Sequence, residues 1–419
     1  MPGWNGCACA GGRKGRTESM GAEPSSFVWH VAAMPFPSPQ GTQAAVAAMV
    51  TAEVRAGRSA RLLTYGEGVG PPPEGIPVQR AWRVPGSASL RSGPSVRKLA
   101  ADALLAAALR RVACRAHAAF FVAHHVEALL AALPVRRRGP VVYVAHTSLQ
   151  AELPVYFAAG VLAPAATVGR TLDVRAVRWA DAAVAVAPRL AARLQETSGR
   201  AVGVVPLPWP LPPPTHPEAW LAARTAIGVP LDAEVILYAG NLDPYQGWED
   251  LVEVLARLVR RRPRLRLLVA TASPSEPLFA EARRAGVADR LHVVPLRDEA
   301  DRRDAHAAAD VAVVPRRVEG GVSVKWIDAM ARGVPVVAAE LATGGYAIDP
   351  QTALVTDGEG AALAAATAVL LGAPERHAFA ERARRWVARV MSAEAYLAAM
   401  DAAVERARAT FGARAPRRC

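Results

Sequence analysis

The chain has 419 residues, of which 52% are hydrophobic and 21% are charged, and its formal net charge is +13. This length exceeds a usual single hydrophobic core, so we expect a globular protein of two domains. The four cysteines, at positions 7, 9, 114 and 419, have the spacing of neither a metal site nor a disulfide framework. No apolar run approaches the length of a membrane span, and residues 1–25 lack the apolar core of a signal peptide. We therefore predict a cytoplasmic location.

Residues 1–25 are Gly-rich and polar, and we predict that they form a disordered or mis-annotated extension. Much of the positive charge lies in arginine clusters at residues 136–138 and 257–266. Such clusters suit an anionic substrate or a peripheral contact with an anionic membrane at its inner face, although a generic basic surface would also carry them. The sequence shows no nucleic-acid-binding module and no aromatic residues between the basic ones, so we expect no nucleic-acid partner.

Short apolar runs alternate with Ala-rich helical stretches over residues 26–205, which predicts a first domain of alternating strands and helices. Residues 206–217 read PLPWPLPPPTHP, and this density of proline fits neither a helix nor a central strand, so we predict a linker. The alternation starts again over residues 218–391 and predicts a second domain. A last amphipathic helix is predicted over residues 392–412.

The two alternations predict an α/β fold with two doubly wound Rossmann-like domains that face a cleft. In such folds ligands bind at the carboxyl ends of the strands. The chain has no G-x-G-x-x-G sequence, and the run GEGVGPPPEG that begins at Gly66 is followed by prolines rather than by a helix. This disfavours a nicotinamide-dependent enzyme.

The segment from Val311 to Ala339 combines a strand, a glycine-containing loop, a helix and a second strand. Gly320 and Gly321 let the backbone turn and let a ligand approach closely. Ser323 is a candidate N-cap for the helix, whose first-turn N–H groups favour an anion. The segment therefore has the local structure expected of a phosphate-binding loop.

Lys325 lies in the first turn of this helix, and Asp328 follows three positions later on nearly the same face. The alternative is a solvated charge pair on a helix surface. With Glu319 before the glycines, however, the pattern resembles the donor-binding signature of retaining glycosyltransferases of the GT-B architecture, in particular family-4-like enzymes (glycosyl transferases group 1). In that family the two acidic residues usually lie eight positions apart, whereas Glu319 and Asp328 lie nine apart.

Two further segments carry the same resemblance. The run MPFPSPQGT, from Met34 to Thr42, matches the family's glycine loop in the first domain, and Gly41 would lie near the donor phosphates; an ordinary Pro-rich turn is the alternative. The run from Leu237 to Leu255 matches the strand, glycine turn and helix that open the second domain, where Gly240 and the backbone around Gly247 would bind the donor. The resemblance also implies that the last helix crosses back to brace the first domain.

The second-domain turn departs from the family pattern, because most relatives carry an arginine and a lysine where this chain has Asn241 and Gln246. Lys325 is then the principal matched cation, with Arg316 and Arg317 as helpers. Asn241 and Gln246 would contact the donor as neutral hydrogen-bonding groups, which also bind phosphate.

Two strands of the first domain end in polar residues. FFVAHHVEAL ends a strand at His124 and His125, with Glu127 beyond, and VVYVAHTSLQAELP ends one at His146, with Glu152 beyond. Because strand ends face the cleft, we expect substrate contacts here, with all but His146 on the acceptor side. The alternative is that the histidines are structural. They form no zinc set and the chain has no D-x-D sequence, so we expect no metal ion.

The resemblance implies transfer of a sugar from a nucleotide-diphosphate donor to a glycan, lipid-linked or small-molecule acceptor, with retention of configuration. Lys325 would stabilise the leaving diphosphate, Glu319 would contact the donor sugar, and His146 would contact the sugar or the developing charge. Asp328 would hold the nucleotide ribose. No cofactor is expected beyond the nucleotide-sugar co-substrate.

Other functions of the same architecture stay open. These are a sugar-nucleotide epimerase, a phosphorylase, and a degenerate nucleotide-sugar-binding protein, the last of which Asn241 and Gln246 favour. Transfer to an added acceptor would separate the transferase from the other enzymes, and donor hydrolysis would exclude the degenerate protein.

Overall fold

A computed structural model of the chain describes residues 27–414, except for residues 39, 91–92, 94, 116–117 and 158–161. The predictions for residues 1–25 therefore lie outside the described residues. Within the described part of the chain, no helix is both long and apolar enough to cross a membrane.

The first domain is built on a seven-stranded parallel sheet. Its strands are β1 Phe27–Ala32, β2 Ala60–Thr64, β3 Val78–Arg80, β4 Ala118–His124, β5 Val141–Ala145, β6 Ala182–Ala185 and β7 Val202–Val204. The strand order is β3-β2-β1-β4-β5-β6-β7, and every pairing is parallel. The helices are α1 Gly41–Arg55, α2 Val96–Arg115, α3 His125–Ala132, α4 Leu149–Glu152, α5 Leu162–Trp179 and α6 Pro188–Ser198.

The second domain repeats this plan with six parallel strands. They are β8 Glu234–Ala239, β9 Leu265–Thr271, β10 Leu291–Pro295, β11 Val311–Val314, β12 Val336–Ala339 and β13 Leu354–Thr356, in the order β10-β9-β8-β11-β12-β13. The helices from α7 onward are α7 Pro217–Ile227, α8 Glu249–Leu258, α9 Glu276–Arg284, α10 Glu299–Ala307, α11 Val324–Ala331, α12 Glu340–Thr343, α13 Gly360–Gly372, α14 Arg376–Val390 and α15 Ala393–Arg414. The predicted α/β class with two doubly wound domains is confirmed.

The strand orders fix where a ligand can bind. In each sheet the chain first adds strands on one side of its first strand and then crosses to the other side, so the order reverses between β1 and β4 and between β8 and β11. The loops that leave two such neighbouring strands diverge to opposite faces of the sheet and open a crevice at their carboxyl ends. The buried, β-branched β5, VVYVA, is typical of a strand covered on both faces.

Residues 205–216 join the two domains without helix or strand. The last helix, α15, packs on β5, β6 and β7 and on α1 of the first domain. Its Tyr396 hydroxyl donates a hydrogen bond to the buried Glu53 carboxylate at 3.3 Å. One cluster of buried apolar side chains continues from the first sheet through Tyr396 to Trp326 of α11. The Trp326 ring packs against that of Trp386 of α14 at 5.4 Å between centroids, with the ring planes tilted by 54°. The two domains thus share a core on the side that α15 covers.

Candidate functional site

A cavity of about 810 Å³ lies between the two domains. Its walls come from the loops that follow β1, β4 and β5 in the first domain and β8, β9 and β11 in the second. These include both points at which the strand order reverses. The topology therefore brings the two predicted ligand-binding crevices together into one site.

The loop after β11 forms the centre of the second-domain wall. Gly320, Gly321 and Ser323 all line the cavity. Ser323 occupies the N-cap position of α11 with extended backbone angles, as predicted, but its side chain makes no capping hydrogen bond. Its hydroxyl is buried without a partner. A free hydroxyl and the N-terminus of an eight-residue helix therefore face the cavity together, which suits an anion.

Two cations flank this helix end. Lys325 and Arg316 both line the cavity, and neither forms an ion pair with a carboxylate of the described residues. Burial, and then the charge of Arg316, lower the pKa of Lys325 to about 7. Burial also lowers the pKa of Arg316. Charged groups are rarely buried without a counter-ion, so the pair forms a preorganised site for an anionic ligand.

Gln246 and Asn241 are uncharged polar residues of the second-domain wall. Gln246 is buried, and its Oε1 accepts a hydrogen bond of 2.9 Å from Nζ of Lys325. Asn241 lines the cavity and donates to the Asp243 carboxylate. At position 246, where the resemblance implies a lysine, this chain therefore has a neutral glutamine that accepts a hydrogen bond from Lys325.

The predicted glycines divide into two groups. Gly41 lines the cavity beside Gly320 and Gly321 and packs against Val324 of α11. Gly240 and Gly247 do not line it, and their N–H groups already donate to Ala270 and Pro244. Their predicted contacts with the donor stay predictions. A Cβ at Gly240 would overlap the Lys325 side chain, and Gly247 adopts a left-handed conformation with φ +66° that ends the turn before α8.

Asp328 does not line the cavity, and its predicted contact with the nucleotide ribose stays a prediction. Its buried carboxylate accepts hydrogen bonds from Arg302 at 3.1 Å, from Arg332 at 3.0 Å and from the Trp209 indole at 3.2 Å. Trp209 belongs to the segment that joins the domains. Asp328 therefore anchors that segment to α11. Arg317 is likewise turned away, because it forms a two-pronged ion pair with Asp250.

Glu319 lines the cavity and forms an ion pair with Arg193 of α6, which lies in the other domain. Beside it, a Cβ at Gly321 would overlap the carbonyl oxygen of His146. The loop after β11 therefore touches the first domain directly. The predicted contact of Glu319 with the donor sugar stays a prediction, and the structure adds a contact that holds the domains together.

Three buried histidines, His30, His124 and His146, form a hydrogen-bonded chain that was not predicted from the sequence. His30 of β1 and His124 share a hydrogen bond of 3.0 Å, and His124 and His146 share one of 2.9 Å. Nε2 of His30 has no partner. A buried lone pair without a partner is tolerated better than a buried N–H group, so this arrangement favours donation from His30 to His124 and from His124 to His146. His146 would then carry its proton on Nδ1.

His125 follows directly and lines the cavity. It has φ +68°, which is uncommon for a residue other than glycine and is enriched at functional sites. Its ring lies 4.9 Å from that of His146. Glu127 and Glu152 also line the cavity, so the structure brings together all of the predicted acceptor-side residues except the buried His124.

Two cavity residues of α2, Lys98 and Asp102, were not found from the sequence. Lys98 forms an ion pair with Glu127, and Asp102 accepts a hydrogen bond from the Tyr65 hydroxyl. Their spacing of four residues places both side chains on one face of an Ala-rich helix, and this pattern could have indicated them from the sequence. The described residues contain no group of three His, Cys, Asp or Glu side chains that could hold a metal ion.

The second domain matches a known family, since residues 233–373 fit the family model of glycosyl transferases group 1. D-inositol 3-phosphate glycosyltransferase 2 of Catenulispora acidiphila is 39% identical over 188 residues, which cover 40% of this chain and 42% of the relative. D-inositol 3-phosphate glycosyltransferase of Segniliparus rotundus is 35% identical over 37% of this chain and 36% of its own length. This chain therefore spans less than half the length of these relatives.

Solved structures extend the likeness to the whole fold. Anabaena HepE in complex with UDP and glucose superimposes with a TM-score of 0.71 at 18% identity, over 90% of this chain and 99% of that one. Sucrose-phosphate synthase from Thermosynechococcus elongatus gives a TM-score of 0.74 at 18% identity, over 93% and 100%. The predicted GT-B architecture is confirmed, and the glycosyl transferases group 1 domain contains every cavity residue of the second-domain wall.

Protonation of the histidine chain should destabilise the fold. Burial lowers the pKa of His30 to about 3, and it lowers the pKa of His124 and His146 well below the usual value. Below about pH 6.5 the unfolded chain binds protons that the folded chain does not, so the free energy of unfolding should fall by up to about 1.4 kcal/mol per pH unit for each histidine. Urea unfolding at pH 7.5, 6 and 5 measures this slope. His30→Asn, which cannot titrate, should show a smaller slope, and an equal slope would contradict the neutral chain.

Asp328→Asn should act on stability rather than on donor binding. The variant leaves Arg302 and Arg332 without their shared buried carboxylate, so the free energy of unfolding should fall by about 3 kcal/mol or more. Trp209→Phe removes a single hydrogen bond from the same network and should cost about 1 kcal/mol. Donor affinity of the folded Asp328→Asn variant should change less than about threefold. A large loss of donor affinity with little loss of stability would instead support the predicted contact between Asp328 and the nucleotide ribose.

Lys325 should make donor binding depend on pH. Because its pKa is lowered to about 7, the ammonium loses its proton as the pH rises, and affinity for a nucleotide-sugar should fall between pH 7.5 and pH 9.5. The diphosphate of a nucleotide-sugar does not titrate in this range, and comparison with Lys325→Met by calorimetric titration separates the effect of the lysine from that of the other titrating groups. Lys325→Met should bind more weakly and with no slope. A wild-type affinity that stays constant over the range would exclude this role.

Proposed function

We propose that the protein is a retaining, metal-independent glycosyltransferase that moves a sugar from a nucleotide-diphosphate donor to a hydroxyl acceptor. The observation that carries the proposal is a pair of cations, Lys325 and Arg316, that form no ion pair with a carboxylate of the described residues and lie beside the Ser323 hydroxyl at the N-terminus of α11. The name of the HepE structure gives UDP and glucose as ligands of that protein. The names of the curated relatives describe them as glycosyltransferases.

The cation pair suits the charge that develops on a leaving diphosphate. As the bond between the anomeric carbon and the phosphate oxygen breaks, negative charge grows on that oxygen, and fixed donors in a cleft stabilise it without reorganisation. Lys325, Arg316 and the Ser323 hydroxyl are positioned by α11 and the loop before it. These protein groups supply the positive charge that a divalent metal would otherwise bring to the diphosphate.

Retention follows if the acceptor hydroxyl approaches from the side of the leaving phosphate. The acceptor oxygen then forms its bond to the anomeric carbon while its proton passes to the departing phosphate oxygen, so that no protein base is needed. Glu319 and His146 lie at the cavity where the donor sugar would sit between the domains. The contact between Gly321 and His146 and the ion pair of Glu319 with Arg193 hold the domains together and limit entry of water.

The test begins with a thermal-shift screen of uridine, guanosine and adenosine diphosphate sugars. The stabilising donor is then incubated with acceptor in the presence of a chelator, and NMR spectroscopy gives the anomeric configuration of the product. We expect transfer with retention and undiminished turnover in the chelator. An inverted product would exclude the same-face mechanism, and turnover that needs added magnesium or manganese would exclude metal independence. Isomerisation of the free donor without transfer would favour an epimerase.

Arg316 and Arg317 offer a matched pair of variants. Arg316→Met should lower kcat/KM for transfer by about a hundredfold, because it removes a fixed charge from the leaving-group site. Arg317→Met removes the same side chain one position later, where it pairs with Asp250 outside the cavity, and should change kcat/KM by less than about threefold. Equal effects of the two substitutions would count against the assignment of Arg316. Circular dichroism is used to check that both variants fold.

A further inference from the structure

We infer that the acceptor of this reaction presents an uncharged, hydroxyl-bearing end to the first-domain wall of the cleft and carries an apolar substituent that lies at the cleft mouth. The inference rests on the proposed function, and it names the chemical class of the second substrate. Three observations on the first-domain wall carry it: its carboxylates, its neutral histidines and its exposed apolar side chains.

The first-domain wall of the cleft carries more carboxylates than cations. Among its described residues Asp102, Glu127 and Glu152 line the cavity, and Lys98 is the one lysine or arginine that does so. Lys98 is already bound to Glu127. Glu152 accepts a hydrogen bond of 3.3 Å from the Tyr156 hydroxyl and forms no ion pair with a lysine or arginine of the described residues. An acceptor phosphate beside these carboxylates would meet like charge, because Lys98 is already paired and Arg316 of the opposite wall would be occupied by the donor diphosphate in the proposed reaction.

Carboxylates accept hydrogen bonds and cannot donate them when they are ionised. Hydroxyl groups are the natural partners of Glu152 and of the free oxygen of Asp102, since a hydroxyl donates without bringing negative charge. Burial raises the pKa of Asp102 to about 6, and even in its protonated form the group makes neutral hydrogen bonds. The wall therefore selects a polyol or a sugar rather than its phosphate ester.

The histidines of this wall cannot supply the missing positive charge. His146 and His125 both line the cavity, and burial lowers the pKa of each. At neutral pH they present uncharged rings that donate or accept one hydrogen bond each. An anionic acceptor would thus find no compensating cation among the histidines either.

Exposed apolar side chains stand at the mouth of the same half of the cleft. Val96 and Leu99 on α2 and Leu130 on α3 line the cavity with exposures of 83%, 70% and 42%. Helices α2 and α3 pack against each other, so these side chains form one surface beside the carboxylates. An apolar surface that adjoins a polar pocket favours a ligand with both kinds of group. The occupant we infer is an alkyl or aryl glycoside, or a polyol with such a substituent.

Matched acceptors test the inference. Glucose, glucose 6-phosphate and octyl glucoside are compared, as are inositol and inositol phosphate, with the donor found in the thermal-shift screen. We expect each neutral compound to exceed its phosphate ester at least tenfold in kcat/KM, and octyl glucoside to exceed glucose. Preference for either ester would overturn the inference. If no compound accepts sugar, binding to the complex with nucleoside diphosphate is measured, and failure of every neutral compound to bind overturns it as well.

Donor hydrolysis without acceptor is measured in parallel and separates the two conclusions. Donor hydrolysis together with a preference for phosphorylated acceptors would support the proposed function and contradict only the inferred acceptor class. Absence of both donor binding and hydrolysis would count against the proposed function itself. An octyl glucoside rate equal to that of glucose would remove the apolar part of the inference.

A charge variant gives a second readout. Glu152→Gln keeps the shape and the hydrogen bond to Tyr156 but removes one negative charge, so the discrimination against glucose 6-phosphate should fall at least threefold. Glu276→Gln removes the same charge from the exposed start of α9, at a residue that does not line the cavity, and should leave the discrimination ratio unchanged. Equal ratios in the wild type and in Glu152→Gln would show that Glu152 does not face the acceptor.

Discussion

The site depends on two buried cations, Lys325 and Arg316, that have no carboxylate partner in the part of the chain that the structure describes. Lys325 and Arg316 cost free energy in the empty cleft, because burial disfavours the charged form of both, and an anion that enters the cleft recovers this cost. The rest of the second-domain wall follows from that constraint. Gly240 leaves room for the lysine stem, and Gln246 holds its ammonium with a neutral oxygen. A lysine at position 246 would place a second ammonium beside the first, where like charges repel.

The domains meet around this pair through contacts that a rigid linker alone would not give. Gly321 packs on the His146 carbonyl, Glu319 pairs with Arg193, and α15 crosses from the second domain to the first sheet. Asp328 contributes from behind, since it fixes Trp209 of the connecting segment to α11. A charged residue of the family signature is therefore used here to hold the domains in place. Its neighbour Lys325, three positions earlier on the helix, faces the ligand cavity.

The fold could be predicted almost completely from the sequence, because buried parallel strands leave a strong periodic signal and the proline-rich segment marks the boundary. The three-residue edge strand β3 was missed, since it is too short to show a period. The site was predicted in part. Local patterns located Lys325, Ser323 and the strand-end histidines, but the role of Asp328 depended on partners 26 and 119 residues away. Such distant contacts are set by tertiary packing, and one sequence does not reveal them.

The first-domain wall presents carboxylates to the cleft, whereas the second-domain wall presents the cation pair Lys325 and Arg316, and this difference favours one placement of the two substrates. The cation pair is complementary to a diphosphate, and it becomes more complementary as the leaving group gains charge. The acidic first-domain wall repels a second anion, so a nucleotide would enter in one orientation only. Burial lowers the pKa of the Arg316 guanidinium, and the negative charge of Glu152 on the opposite wall partly opposes that shift. Replacing charge on either wall should therefore change the selection of both substrates.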